Sequence, residues 1–309
     1  MLNAMSEVKN VLFIINKASG TGYSSEIDRK IVNACAKNNI ECSLQFTNGR
    51  GHATALAKEG AIKNYDRVIA VGGDGTVNEV AQGLLHTSTP MGIIPKGSGN
   101  GLARHLGISM KIHTALIQVL SGTVLTMDTF SMNGCLSLNV SGIGFDGHIA
   151  NLFNAGKKRG FWSYTKLVVR EFMRYPQFNA TVHLTAQNGQ TSSVTNQSFM
   201  IAIANASQYG NNAWVAPVAS IMDQTLQLAL IKKVPAQRGF HFGYQMFTGK
   251  LETGKDYECL SLQKGIIQTP APVAFHIDGE PCGHANSFSF EIIPHSLRIV
   301  VPTHRKRKI

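Results

Sequence analysis

Three glycines and one aspartate stand before Thr76 in residues 72–76, directly after the predicted strand at residues 67–71. Glycine lacks a Cβ atom, so the backbone of such a run can turn sharply and approach an anion closely. Thr76 and Glu79 have the spacing of a capping box, which predicts that a helix begins at about Val77 with its free N–H groups facing the loop. Such a helix start suits phosphate binding, and the carboxylate of Asp74 beside it calls for a divalent cation.

A second glycine-rich loop, residues 95–101, follows the next apolar run. Ser98 and Asn100 offer neutral hydrogen-bonding groups there, and Lys96 and Arg104 add positive charge. The sequence leaves open whether either cation reaches a phosphate or stays solvated.

A third segment, residues 275–280, ends a predicted strand at an Asp-Gly step. Because side chains alternate along a strand, His276 and Asp278 share one face and Phe275 and Ile277 the other. A carboxylate at a strand end can accept the proton of a substrate hydroxyl. In isolation, a plain Asp-Gly hairpin turn is the better explanation of this segment.

The elements that must position these segments alternate between short apolar runs and helical stretches in the first part of the chain. This pattern is typical of a parallel sheet flanked by helices. Each predicted strand ends in a flexible loop, at the carboxyl edge where open α/β sheets bind ligands. The predicted strands are residues 11–15, 42–47, 67–71 and 91–95.

After about Asp128 short β-prone segments dominate, with one helical stretch at residues 164–173. Turn residues between them predict an antiparallel sandwich as a second domain. We therefore predict domains at residues 1–128 and 129–309, with the last strand able to return to the first domain. The predicted strands are residues 136–140, 181–185, 199–204, 226–231, 265–268, 273–277, 287–293 and 297–301.

The charge balance favours a polyanionic partner, since 29 Lys and Arg face 18 Asp and Glu, for a net charge of +11. Basic residues 157–159 precede the aromatic Phe161, Trp162 and Tyr164, and residues 305–308 form a basic tail. Basic residues beside aromatic ones suit contact with anionic lipid headgroups, although each segment alone also fits a solvated surface.

Other classes of protein are disfavoured. The five cysteines are scattered without a CxxC pair, which argues against a disulfide framework or a structural zinc site. No apolar run approaches the roughly 20 residues of a membrane-spanning helix. The N-terminal sequence lacks a secretory pattern, so we expect a cytoplasmic location.

Taken together, the three segments resemble the diacylglycerol kinase catalytic family, which includes bacterial lipid kinases and sphingosine kinases. The resemblance implies an α/β fold with an N-terminal parallel nucleotide-binding domain and a β-rich sandwich domain, and a lipid site in the cleft between the domains. It implies ATP and Mg²⁺ as cofactors and transfer of the γ-phosphoryl group to a hydroxyl of a membrane lipid, diacylglycerol or a related one. We expect peripheral contact with the anionic inner membrane surface and no nucleic-acid partner; a homodimer is compatible with the family.

The same resemblance assigns roles to individual residues. Asp278 would be the catalytic base with Glu280 close by, and Asp74 would lie near a catalytic Mg²⁺. A structural Mg²⁺ would be held by Asp223 and the carbonyl groups of Ser220 and Thr225. The nucleotide would be contacted by Asn16, Thr47, Gly72, Gly73, Asp74, Gly75, Thr76, Asn78, Ser98 and Asn100.

The chain also departs from the family pattern. Lys17 stands where the family often has proline, and Gly101 where it commonly has aspartate. Relatives usually have Asp-Asp-Gly at residues 222–224, where this chain has Met222, Asp223 and Gln224. The reduced metal segment keeps a lipid-binding regulatory protein as an alternative. NAD kinases, which share the Gly-Gly-Asp-Gly-Thr loop, are another.

Overall fold

The computed structural model describes residues 8–20, 22–156, 161–185 and 189–303. The chain divides into two compact units. The first unit contains the chain up to Met127 and again from Ser296, and the second unit spans Asp128–His295. The basic segments 157–159 and 305–308 lie outside the described residues, as do the side chains of residues 161–164.

The first unit is built on four parallel strands in the order β2-β1-β3-β4, which confirms the predicted parallel α/β fold. The last strand of the chain adds to β4 in parallel, with Ile299 opposite Met91. The strands are β1 Asn10–Ile15, β2 Glu41–Phe46, β3 Arg67–Gly72 and β4 Met91–Pro95, and the helices are α1 Glu26–Lys37, α2 His52–Ile62, α3 Asp74–Leu84, α4 Gly101–His105 and α5 Ile112–Ser121.

Strands β3 and β4 are buried along their whole length, as is β1 from Val11 onward. Parallel strands covered by helices on both faces read as continuous apolar runs, which is why the sequence revealed them. The edge strand β2 is only partly buried and carries polar residues such as Glu41 and Gln45.

The second unit has an antiparallel sheet in the order β12-β11-β10-β7-β13-β14, and β8 and β9 extend from β13. Its strands are β5 Thr123–Met132, which enters it from the first unit, β6 Cys135–Ser137, β7 Val140–Gly144, β8 Phe178–Thr185, β9 Thr191–Ser198, β10 Met200–Ala204, β11 Leu226–Ile231, β12 Tyr257–Leu262, β13 Lys264–Ile277 and β14 Glu280–Val301. The helices are α6 Phe145–Ala155, α7 Phe161–Arg174 and α8 Ala236–Thr248.

The prediction of a single helix in this part of the chain is wrong, because α6 and α8 are present as well as α7. Both contain glycine and many aromatic or β-branched residues, which have low intrinsic helix propensity. Their stability comes from packing, since Phe145 and Ile149 of α6 and Phe242 and Met246 of α8 all join one apolar cluster of the sheet. We call it the helix-side core.

Two pairs of predicted strands are continuous. Residues 265–268 and 273–277 belong to β13, which has a register shift between Gln268 and Val273 where two prolines interrupt the pairing. Residues 287–293 and 297–301 both belong to β14. No helix within the described residues is long and apolar enough to cross a membrane.

Candidate functional site

Strand order places the loops after β1 and β3 beside each other. The chain leaves β1 toward β2 and leaves β3 toward β4, in opposite directions across the sheet. Open α/β sheets have a crevice at such a switch point, outside the carboxyl ends of the strands. Asn16 follows β1 and Gly73 follows β3, and the backbone N–H of Asn16 donates to the Val71 carbonyl at 3.0 Å. Thr47, at the end of β2, donates its N–H to the Ile15 carbonyl at 3.0 Å.

Asp74 joins the two glycine-rich loops. Its Oδ2 accepts the backbone N–H of Asn100, and its Oδ1 that of Gly101, each at 2.9 Å. The loop backbones also approach closely, because a Cβ atom on Gly97 would lie 2.8 Å from the Cα atom of Gly73. Glycine is therefore required at Gly97 for the contact that the carboxylate holds. We call this arrangement the Asp74 clamp.

The loop after β1 is tied to the same place. The Asn16 side-chain amide donates to the Thr76 hydroxyl at 2.9 Å, and the Gly73 N–H donates to the Ser19 hydroxyl at 3.1 Å. Three loops from β1, β3 and β4 thus converge at the start of α3.

The predicted capping box is wrong. Helix α3 begins at Asp74 with Gly73 as its N-cap, so Thr76 lies inside its first turn. The carboxylate of Glu79 instead accepts the N–H groups of Gly51 at 2.9 Å and Ala53 at 3.2 Å, and so caps α2. The N-cap residue Gly73 has no side chain with which to cap α3, and the start of a helix favours an anionic ligand.

The remaining predicted nucleotide residues lie nearby on the same elements. Asn78 is on α3, where its Oδ1 accepts the Gln82 side-chain amide at 2.7 Å. Asn100 has a φ of 51° and its Oδ1 accepts the Gly97 N–H at 2.9 Å, which closes the second loop. Ser98 is exposed at the tip of that loop.

Two lysines bring positive charge to this edge. Lys17 Nζ lies 4.0 Å from the ring centre of Phe46 and 4.7 Å from that of Tyr23. Burial lowers the pKa of the Lys96 ammonium, while the charge of Asp28 offsets part of that effect. Burial also lowers the pKa of His105, on α4, to about 4, so this imidazole adds no charge at neutral pH. The edge is therefore favourable for phosphate.

In the second unit, Asp278 lies in a tight turn between β13 and β14. The turn consists of Asp278 and Gly279, with φ values of 49° and 86°, and Ile277 pairs with Glu280 across it. Positive φ at both central positions is typical of a hairpin turn in which Asp-Gly is favoured.

The Asp278 carboxylate is held by the last residue of β6 and the two residues that follow it. Its Oδ1 accepts the Ser137 hydroxyl at 2.7 Å and the Asn139 N–H at 2.9 Å, and its Oδ2 accepts the Leu138 N–H at 2.9 Å. Glu280, two residues later, is exposed. The two carboxylates of this turn therefore differ: Asp278 is anchored to the protein, and Glu280 faces solvent.

Behind the turn lies a buried polar group that the sequence analysis identified only in part. As predicted, Phe275 and Ile277 face the apolar core and His276 faces the other way. His276 is 3% exposed; its Nδ1 accepts the Gly279 N–H at 3.1 Å, and its Nε2 lies 3.3 Å from Asp146 Oδ2. Tyr209 donates its hydroxyl to the same oxygen at 2.5 Å. The alternation along β13 indicated the face but not these partners.

The predicted metal segment is held by a carboxylate that the sequence analysis missed. Asp128 is fully buried, and its two oxygens accept the N–H groups of Gln224 at 2.8 Å and His295 at 2.7 Å. A lone aspartate in the otherwise uncharged strand β5 was the available signal. Asp223 is exposed, and its Oδ1 accepts the Thr225 N–H at 3.1 Å.

The residues proposed to bind a metal in this segment, Ser220, Asp223 and Thr225, offer oxygen ligands. Within the described residues no three His, Cys, Asp or Glu side chains cluster as metal ligands, so Asp223 would be joined by backbone carbonyls, such as those of Ser220 and Thr225, and by water. Mg²⁺ accepts such a set, since it usually binds one or two carboxylates and keeps several waters.

Comparison with known proteins gives two matching family models. The diacylglycerol kinase catalytic domain matches residues 10–132, and the YegS C-terminal NAD kinase beta sandwich-like domain matches residues 139–301. The chain is 28% identical to the probable lipid kinase YegS-like of Chromohalobacter salexigens, over 82% of this chain and 81% of the relative. It is 28% identical to the diacylglycerol kinase of Bacillus subtilis, over 98% of this chain and 99% of the relative. The crystal structure of a diacylglycerol kinase from Bacillus anthracis shares the fold with a TM-score of 0.72 at 23% identity, over 95% of this chain and 97% of that one.

Proposed function

The chain belongs to the family of lipid kinases that includes YegS and diacylglycerol kinase, and from this membership we propose that it transfers the γ-phosphoryl group of ATP to a hydroxyl of a membrane lipid. The observation that carries the proposal is the Asp74 clamp, which holds two glycine loops against the start of α3 at the switch point of the sheet. Diacylglycerol or a related membrane lipid is the proposed acceptor.

The first unit is the proposed nucleotide site. The ATP phosphates lie against residues 72–76 and the N-terminus of α3, where backbone N–H groups and the helix dipole favour negative charge. Asn16 and Thr76 support that loop through their hydrogen bond. The adenine lies toward Thr47, Ser98 faces the nucleotide from the second loop, and Asn100 supports the site by closing that loop.

The second unit is the proposed source of the proton acceptor. A general base needs a carboxylate lone pair that can reach the substrate hydroxyl. Since three protein donors already occupy Asp278, we assign proton acceptance to Glu280 and the anchoring of the turn to Asp278. The role of catalytic base, which the sequence predicts for Asp278, is thus assigned to Glu280, two residues later.

Mg²⁺ supplies charge neutralisation for the transferred phosphoryl group. Asp74 is the carboxylate nearest the proposed phosphate position, and Asp223 with the carbonyls of Ser220 and Thr225 is the proposed holder of a structural ion. A rise in melting temperature on adding Mg²⁺ without nucleotide, lost in Asp223→Asn, would support the structural ion. An equal rise in the variant would show that Asp223 does not hold the ion.

The proposed function predicts transfer of label from γ-labelled ATP and Mg²⁺ to a lipid in detergent micelles. A panel of diacylglycerol, ceramide, sphingosine and phosphatidylglycerol identifies the acceptor, and a parallel reaction contains NAD⁺. A labelled lipid is the expected result. Labelled NADP⁺ would show a NAD kinase instead, and ATP binding without labelling of any lipid in the panel would favour a regulatory lipid-binding protein.

A further inference from the structure

Helix α8 presents aromatic side chains on two opposite faces. Phe242 and Met246 pack on the helix-side core. Phe240, Tyr244 and Phe247 point the other way and are 89%, 54% and 50% exposed. Their spacing of four and then three residues forms one stripe along the helix. Within the part of the chain whose side chains are described, these are the only exposed Phe, Tyr or Trp residues.

Helix α7 also exposes apolar side chains on the face away from the helix-side core. Leu167 and Phe172 pack on the same core, whereas Val169 and Met173 are 65% and 66% exposed. The two helices are joined by Lys233, just before α8, whose ammonium donates to the carbonyls of Met173 at 3.2 Å and Tyr175 at 2.7 Å. Both outer faces therefore lie on the side of the helices away from the sheet. We call Val169, Met173, Phe240, Tyr244 and Phe247 the outer apolar surface.

The charges around this surface are positive. Lys166, Arg170 and Arg174 of α7 are exposed, and the only acid of that helix, Glu171, is engaged by Arg170 at 2.8 Å and by His148 at 3.1 Å. Between Lys232 and Lys250 the sequence contains no Asp or Glu, and Arg238 of α8 pairs with Asp256 at 2.6 Å. A protein partner would need acidic groups matched to each cation, whereas an anionic bilayer supplies diffuse negative charge and an apolar layer together.

We propose that the outer apolar surface docks the second unit on an anionic phospholipid bilayer. The hydroxyl of Tyr244 suits the headgroup region of a bilayer, and the rings of Phe240 and Phe247 suit its apolar layer. Neighbouring lysines and arginines are attracted to the negative potential of an anionic bilayer. The proposal deepens the proposed function, because a kinase for a membrane lipid has to meet its substrate at such a surface.

The test is sedimentation with vesicles of phosphatidylcholine that contain or lack phosphatidylglycerol, without nucleotide. We expect binding to the anionic vesicles that weakens with salt. The double variant Phe240→Ser/Tyr244→Ser should lower the partition coefficient by roughly tenfold or more, since two apolar rings are removed from the lipid. Ile62→Ser, at a 79% exposed position on α2, is the matched control and should bind like the wild type.

Equal vesicle binding by the double variant and the wild type would overturn the proposal. Sedimentation velocity tests whether a second copy of the chain covers this surface instead. If the wild type is a dimer, the double variant is a monomer and vesicle binding is unchanged, the surface joins two copies of the chain. The kinase reaction in detergent micelles separates this result from the proposed function. The double variant should keep the wild-type rate in micelles. If the wild type binds vesicles but phosphorylates no lipid, only the proposed function is overturned.

A second inference comes from the buried polar group behind the Asp278 turn. A backbone N–H always donates, so the Gly279 contact makes His276 Nδ1 an acceptor and places the ring proton on Nε2, facing Asp146. Gly142 makes room for this pair, since a Cβ atom there would lie 1.7 Å from Asp146 Oδ2 and 2.7 Å from His276 Nε2. We infer that His276 is a positioning residue that fixes the turn carrying Glu280, and that Asp146 selects its tautomer. This inference also rests on the proposed function.

Two substitutions test the contacts of the two ring nitrogens of His276 one at a time. In His276→Asn the amide oxygen replaces Nδ1 and can still accept the Gly279 N–H, whereas in His276→Gln the amide nitrogen replaces Nε2 and keeps only the Asp146 contact. We expect His276→Asn to retain kcat within a few-fold and His276→Gln to lower it about tenfold or more, with the KM for ATP unchanged. A merely structural role would lower kcat in proportion to the melting temperature in both variants, and that result would overturn the inference.

Discussion

Glu280→Gln is expected to lower kcat by about 10²–10⁴-fold, the contribution typical of a general base. Glutamine keeps the shape of the side chain but cannot accept a proton. Glu280 is exposed, so the melting temperature should stay at the wild-type value. The KM for ATP should also be unchanged, because the proposed nucleotide contacts lie in the first unit. Steady-state kinetics with a micellar lipid and a thermal melt measure all three quantities.

Asp278→Asn is the companion variant and should behave differently. Asparagine tolerates the positive φ of 49° at this position, so the backbone is not strained. Its amide nitrogen, however, must face an N–H or hydroxyl donor from residues 137–139, which costs about 1–3 kcal/mol in the free energy of unfolding. We expect a lower melting temperature together with reduced activity. A folded, inactive Asp278→Asn beside a Glu280→Gln of near-normal rate would restore Asp278 as the base.

The parallel half of the fold was predictable because its strands are buried on both faces. Continuous apolar runs ending in glycine-rich loops identified β1, β3 and β4, and the loops at their carboxyl ends contain the candidate nucleotide residues. The hairpin at Asp278 was also visible, since an Asp-Gly step after an alternating strand favours a tight turn.

What the sequence could not reveal depends on partners distant in the chain. Thr76 and Glu79 match a local capping pattern, yet Glu79 contacts Gly51 and Ala53, because its carboxylate reaches the start of another helix. Asp128 holds Gln224 and His295, which are 96 and 167 residues away along the chain. Such contacts leave no local periodicity, and neither does a helix such as α8, whose stability comes from packing on the helix-side core.

Asp74→Ala should reduce turnover by about 100-fold or more, since the two glycine loops would no longer be held at the position that the phosphates require. The N–H groups of Asn100 and Gly101, both in buried residues, would lose their acceptor, at a cost of about 1–3 kcal/mol each in the free energy of unfolding. ATP binding measured by calorimetry, with kcat and a thermal melt, reports each effect.

Gly97→Ala tests the clamp without removing the carboxylate. The new methyl group would lie 2.8 Å from Gly73 Cα and 2.9 Å from Asn100 Oδ1, so the two loops must separate. The matched control is Gly49→Ala, where a Cβ atom meets nothing within 4 Å. If the clamp shapes the nucleotide site, Gly97→Ala weakens ATP binding as Asp74→Ala does, and Gly49→Ala leaves it unchanged. An active Gly97→Ala beside an inactive Asp74→Ala would mean that the carboxylate acts directly on the Mg²⁺–phosphate group rather than by joining the loops.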